Sequence, residues 1–250
     1  MCYLSKFIEM NKLKYIKILL LFSAIAHSLN AQVTLVPDSV FENYLETHDA
    51  TGVSVPIGSA SAMGDGINGN GQVLTTNIAG VIILALNNLS ISDFAGLEDF
   101  TALEEFQLIN NSSAQSFEID FSSNTQLIDI SIVDVPLLSD VNVSQNILLN
   151  RLQVATQGNL FTDIDVSNNI NLTRLEVWGN TLTNIDTQNN LAIDYLIVRS
   201  NPITSLDVSH LIELETLVTF DTEITQLDLS SNSNLTLLLA ENGSLESLNL

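Results

Sequence analysis

The sequence predicts an α/β-type repeat solenoid: short parallel strands stacked on a concave side, a mostly irregular convex side, and a short N-terminal helical cap. Three observations carry this prediction. Apolar residues recur at a fixed period over most of the chain. A polar five-residue string recurs in step with them. A short amphipathic segment, begun by a proline, stands ahead of the first repeat.

The period is read directly from the residues. Leu175, Leu196, Leu217 and Leu238 are each 21 apart, as are Leu182, Ile203, Ile224 and Leu245, and Ile185, Leu206, Leu227 and Leu248. Leu84, Phe106, Ile130 and Leu152 extend the first column upstream at spacings of 22, 24 and 22, with 23 more to Leu175. This gives about eight turns, from Ile78 to the end of the chain. Columns in register at about twenty residues mean one supersecondary unit per turn, each burying its apolar edge against its neighbours.

The pattern L-x-[VLI]-x-x-N-x-[LI]-x-x-[LI] is that of a leucine-rich repeat, with one short strand per turn. Strand alternation points Leu175 and Val177 inward, and Arg174, Glu176 and Trp178 outward. Asn180 and Asn201 follow two of the strands and are placed to satisfy turn backbone from inside. Thr222 and Gly243 replace them in the last two turns.

The polar string D-x-S-x-N appears at Asp120, Asp165 and Asp228, with looser copies between. It stacks Asp120, Asn142, Asp165, Asp186, Asp207, Asp228 and Asn249 in one column. Two readings stand. Asp165, Asp186, Asp207 and Asp228 are candidate Ca²⁺ ligands between rungs. Alternatively, each side chain caps its own turn, a role that Asn142 and Asn249 would keep without the charge.

Chain ends complete the organisation. Lys12, Lys14 and Lys17 precede an apolar run from Ile18 to Ala26, with Ala31 before Gln32. This is the pattern of a secretory leader over residues 1–31, with Met10 an alternative start, and its apolar run is too short to span a bilayer. Residues 32–77 form the cap and a Gly/Ser-rich loop, and 78–250 the repeats. Phe41, Tyr44, Leu45 and His48 fall at helical spacing after Pro37–Asp38. The loop contains DGINGNG, but its spacing puts Gly66 and Asn77 where an EF-hand needs acidic ligands. The sequence stops mid-repeat, leaving Leu245, Leu248 and Leu250 at an open apolar end. We expect either a longer natural product or association of this end with a partner.

Composition narrows the function. The chain has 250 residues, 46% of them hydrophobic, with 7 basic and 29 acidic residues for a formal net charge of −22. All four lysines and Glu9 lie in the leader, leaving 3 basic against 28 acidic residues, a net −25. Such a charge disfavours nucleic acid and anionic membrane surfaces. The single Cys excludes a disulfide framework. After the leader there are only His48 and His210 and no lysine or cysteine, so we expect no enzyme, no cofactor and no membrane span.

The remaining arginines are Arg151, Arg174 and Arg199. In–out alternation puts Arg151, Arg174 and Tyr195 in one outward column and Trp178, Arg199 and Phe220 in another, with Ile197 and Val218 between. Arginine and aromatic residues dominate binding hot spots, so this face is the candidate ligand site. A protein partner fits it, and so does a carbohydrate stacked on Trp178 and Tyr195.

The strings TSLDVS (Thr204–Ser209), TQLDLSSN (Thr225–Asn232), ISDFAGLEDFTALEEF (Ile91–Phe106) and VPDSVFENYLETHD (Val36–Asp49) resemble secreted bacterial leucine-rich-repeat proteins with LTSLDVSNN-type repeats. More distantly they resemble the internalin-type adhesins. That resemblance implies binding or adhesion at the cell surface or in the medium. Its members are often type IX secretion cargo with a C-terminal sorting domain, which this sequence does not contain. The alternative is a structural spacer or head within a larger secreted surface protein.

Overall fold

The computed structural model describes residues 32–158, 160–241 and 243–250, and Thr34–Leu250 forms one compact unit. The expected leader falls outside the described residues. In chain order the elements are β1 (Val33–Leu35), α1 (Ser39–Thr47), β2 (Gln72–Leu74), the one-turn α2 (Thr75–Ile78), β3 (Ile83–Asn87), β4 (Glu105–Ile109), β5 (Phe117–Asp120) and β6 (Asp129–Val133). They continue with β7 (Leu138–Asn142), β8 (Arg151–Ala155), β9 (Arg174–Val177), β10 (Tyr195–Ile197), β11 (Thr216–Val218), β12 (Gln226–Asp228), β13 (Leu237–Leu239) and β14 (Ser247–Asn249).

One parallel sheet holds eight strands in the order β3-β4-β6-β8-β9-β10-β11-β13. The first leucine column is its register: Leu84, Phe106, Ile130, Leu152, Leu175, Leu196, Leu217 and Leu238 are successive partners. The first seven are buried and Leu238, on the last strand, is partly exposed. Burying each such side chain stabilises the fold by roughly 1.5–3 kcal/mol, which is why the column tolerates irregular spacing but no polar residue. The opposite side is less irregular than expected, because β5 pairs with β7 and β12 with β14. At the end of the solenoid Leu237, Leu239, Leu248 and Leu250 are all exposed.

Two asparagine systems hold the turns together. Asn180 Nδ2 donates to Val154 O (2.9 Å), and Asn201 Nδ2 to Val177 O (2.7 Å), as their positions after the strands predict. Thr222, next in that row, bonds within its own turn through Oγ1 to Thr219 O. A second ladder lies beyond those expectations. The last residue of the D-x-S-x-N strings (Asn124, Asn169 and Asn232) and of two looser copies (Asn146 and Asn190) is buried, and each Nδ2 donates to two main-chain carbonyls of the preceding turn. Only the donor half of each amide is used: among the described residues Oδ1 has no donor in reach. Leu211 interrupts this ladder. Beside it, His210 Nε2 reaches Thr187 O (2.9 Å), the service Asn168 and Asn189 perform for Ser144 O and Ser167 O in the two turns before.

The cap forms where expected but ends one residue early. Asp38 Oδ1 accepts from Val40 N and Phe41 N, closing the helix start, while its Oδ2 takes Ser92 N and fastens the cap to the repeats. Phe41 and Leu45 are fully buried. His48 is extended (φ −133°) rather than helical, and its ring stacks on Tyr44 at 4.1 Å. The glycine-rich loop is anchored from beneath rather than loose. Glu42 Oε1 accepts the N–H groups of Gly69, Asn70 and Gly71, and Glu46 those of Asp65 and Gly66. Both carboxylates are buried under the loop. Gly64 allows that approach, since a Cβ there would collide with the Glu46 carboxylate.

Candidate binding site

The eight parallel strands set outward side chains in rows one rung apart. Asp129, Arg151, Arg174, Tyr195 and Thr216 are successive register partners and form the first row. The second row runs Ser131, Gln153, Glu176, Ile197 and Val218. The third holds Trp178, Arg199 and Phe220, just beyond β9, β10 and β11. Each is followed by a residue in the left-handed conformation, Gly179 (φ 67°), Ser200 (φ 53°) and Asp221 (φ 56°), where the chain turns off the sheet.

The first two rows are knitted together. Arg151 contacts Asp129 (3.0 Å) and Glu176 (3.3 Å), and Arg174 Nε contacts the same Glu176 Oε1 at 2.7 Å. Gln153 donates to Glu176 (3.2 Å) and accepts from Arg151 (2.8 Å) and Ser131 (2.8 Å). Glu176 points outward as expected yet is buried, because two guanidinium groups cover it. Burial works against the Arg174 charge, but the hydrogen bond and charge of Glu176 outweigh it and hold its pKa above the ordinary value. Removing Glu176 alone would leave Arg174 without its ion-pair partner and Arg151 with Asp129 only. Val218 is also buried, so it forms floor rather than contact surface, whereas Ile197 is partly exposed.

Cations and rings are paired. The Arg174 guanidinium lies 3.8 Å from the Tyr195 ring centre. That of Arg199 lies 3.9 Å from Trp178 and 5.1 Å from Phe220. Among the described residues, Arg199 alone of the three arginines has no acidic partner. It lines an open groove of about 570 Å³ with Gln157, Gly158, Trp178, Gly179, Asn180 and Ser200. A second groove of about 360 Å³ lies at the other end of the strands, among Arg151, Arg174, Asp194 and Tyr195.

The aspartate column does local work. Asp165, Asp186, Asp207 and Asp228 each accept the main-chain N–H two residues on, all at 2.9 Å, and Asn142 does the same with its amide oxygen. Hydrogen bonds from Ser167, Ser209 and Ser230 hold Asp165, Asp207 and Asp228 below the usual carboxylate range. Among the described residues, no three His, Cys, Asp or Glu side chains converge on a point where a metal ion would sit. His48 and His210 are both engaged in turn contacts, at opposite parts of the chain. Among the described residues, no helix is long and apolar enough to cross a membrane.

No protein-family model matches the sequence, and no curated protein does. Among solved structures, internalin C2 from Listeria monocytogenes matches with a TM-score of 0.63 over 86% of this chain and 90% of that one, at 22% identity. The fold is an internalin-like leucine-rich-repeat solenoid. A second internalin from Listeria monocytogenes, inlF, covers 89% of this chain and 79% of its own at 16% identity, with a TM-score of 0.44. At these identities the likeness to internalin C2 establishes the internalin-like fold and nothing about a ligand.

Proposed function

We propose that the chain is a non-enzymatic binding module that grips a protein partner on its concave sheet, at Trp178, Arg199 and Phe220 with Tyr195 and Ile197 beside them. The observation that carries this is the state of Arg199. Arg151 and Arg174 spend their charge on Asp129 and Glu176, whereas Arg199 is held flat against aromatic rings with its charge uncommitted. A cation over an indole gains about 0.5–2 kcal/mol and loses little rotamer freedom on binding, so the group is preorganised. A guanidinium fixed this way takes a carboxylate or a carbonyl edge of a partner.

Protein is favoured over carbohydrate by the same contacts. A sugar would stack on the face of Trp178 or Tyr195, and each ring already carries a guanidinium. The leader-like segment 1–31 supports export, to the cell surface or the medium, where adhesion is the natural use of such a face. As a structural spacer in a larger surface protein, the chain would need no uncommitted arginine.

The test is quantitative affinity capture from native cell-surface fractions, comparing wild type with the Trp178→Ala/Arg199→Ala double variant, followed by titration of the purified captured protein. A loss of about tenfold or more in affinity, with a melting temperature lowered by only a few degrees (about 2–4 °C), supports the site. Equal affinity in the double variant removes it.

A further inference from the structure

A second surface lies away from the concave sheet. Ile147, Ile170, Leu191 and Ile212 occupy one position in four successive turns and are 56%, 59%, 57% and 58% exposed. Each directly follows a buried residue, ladder Asn146, Asn169 and Asn190 or the Leu211 that interrupts the ladder, and is the first central residue of a hydrogen-bonded turn. Those turns close from Leu149 N to Asn146 O, Leu172 N to Asn169 O, Ile193 N to Asn190 O and Leu214 N to Leu211 O, at 3.0–3.1 Å. The backbone beneath is thus fixed, and the four side chains form a ridge about 15 Å long, one rung apart.

The fold does not ask for apolar residues there. In the flanking turns the same position holds Thr125 and Ser233, both exposed, in turns closed the same way by Leu127 N to Asn124 O and Leu235 N to Asn232 O. Turn positions of this kind favour polar residues or proline, so four consecutive branched aliphatic residues serve something outside the chain.

Charge says what. Asp165, Asp186 and Asp207 stand five residues before Ile170, Leu191 and Ile212, and the hydrogen bonds at Asp165 and Asp207 keep those carboxyls ionised. Glu215 stands three residues after Ile212 and Glu213 adjoins Ile212, whereas Asp194 sits in the groove with Arg151 and Arg174 instead. The cations nearest in sequence, Arg151 and Arg174, are tied to Asp129 and Glu176. A second copy of a chain with net charge −22 would be repelled, and four side chains fall short of the ~800 Å² per partner that a stable dimer buries. The rung spacing of about 4.8 Å matches the 4.5–6.0 Å rise, roughly, between same-face residues of an α-helix better than the ~6.8 Å of a strand.

We infer that this ridge docks a cationic amphipathic helix of a partner protein, about three turns long, laid across the rungs with its aliphatic side chains on Ile147–Ile212 and its basic residues toward the flanking carboxylates. This site is separate from the concave face and stands or falls independently of it.

The probe is a labelled Lys/Leu peptide of about fourteen residues with leucines at helical spacing, beside an isomer of the same composition with the leucines dispersed. Anisotropy should show wild type preferring the amphipathic isomer by about tenfold. Ile170→Ser/Leu191→Ser should abolish that preference, leave the melting temperature within about 2 °C, and retain only salt-sensitive binding common to both peptides. Trp178→Ala/Arg199→Ala should leave the preference intact. Equal binding of the two isomers, a preference that survives Ile170→Ser/Leu191→Ser, or one lost only in the concave-face variant would each overturn the inference. So would wild-type self-association in sedimentation that the ridge variant abolishes, since the occupant would then be a second copy.

Discussion

The guanidinium carbon of Arg199 lies 3.9 Å from the centre of the Trp178 ring, one rung away on the same face of the sheet. Phe220, on the other side, lies 5.1 Å from it. An arginine stacked this way keeps its N–H edges available while its flat faces are desolvated. In a chain with 29 acidic residues, no acid among the described residues has taken it.

Because Trp178 is the only tryptophan, this contact can be followed by its own fluorescence. Arg199→Ala should change the emission maximum and raise quenching by iodide, as the ring loses its cover. The stability loss should be small, about 0.5–1 kcal/mol by urea unfolding.

Asn169→Ala should be more costly. It removes the side-chain donor from Val143 O and Asn146 O inside the core, leaving each carbonyl only its main-chain donor, Asn146 N and Leu149 N, and two buried hydrogen bonds at about 0.5–1.5 kcal/mol each give an expected loss of roughly 1–3 kcal/mol in equilibrium unfolding. Asn168→Ala, whose amide is exposed and reaches only Ser144 O, should cost less than about 1 kcal/mol.

The turn-capping aspartates set an acid limit. Asp165, Asp207 and Asp228 have pKa values lowered by hydrogen bonds, so their contribution is present above the unfolded carboxylate pKa of about 3.9 and is lost as pH falls through the lower folded value. A triple Asp→Asn variant keeps an acceptor at each turn, as Asn142 does, and loses the titration. Thermal melts from pH 6 down to pH 2 should therefore fall less steeply below about pH 4 in the variant. Addition of a chelator should leave both melting temperatures unchanged.

Gly64→Ala should release the glycine-rich loop. A methyl group there occupies the space of the Glu46 carboxylate, which must then abandon Asp65 N and Gly66 N. Limited proteolysis should show cleavage within residues 58–72 in the variant and resistance in wild type, with the repeat region intact in both.

Legibility differed by the range of the interaction. The leucine column from Leu84 to Leu238 was visible because burial is a one-residue property repeated at each turn, and the structure reproduces it partner by partner. The alignment of Arg151, Arg174 and Tyr195, and of Trp178, Arg199 and Phe220, followed from the same offset. Burial of Glu176 and Val218 was not visible, since it depends on which neighbours fold over them. The ladder of Asn124, Asn146, Asn169, Asn190 and Asn232 was in plain sight as the final letter of D-x-S-x-N and its looser copies. The charged first letter is the more conspicuous, yet it serves only its own turn. The anchoring of the loop by Glu42 and Glu46 was hidden because acids four apart on a helix ordinarily face solvent.

A hydroxyl-radical footprint of the complex with a captured protein partner tests the concave-face claim most directly, because Trp178, Tyr195 and Phe220 are all readily labelled and partly exposed. Labelling of Trp178 and Phe220 should fall severalfold on binding, with Tyr195 following. Unchanged labelling of all three, with protection at Ile147, Ile170, Leu191 and Ile212 instead, would contradict the concave site and move the partner to the ridge.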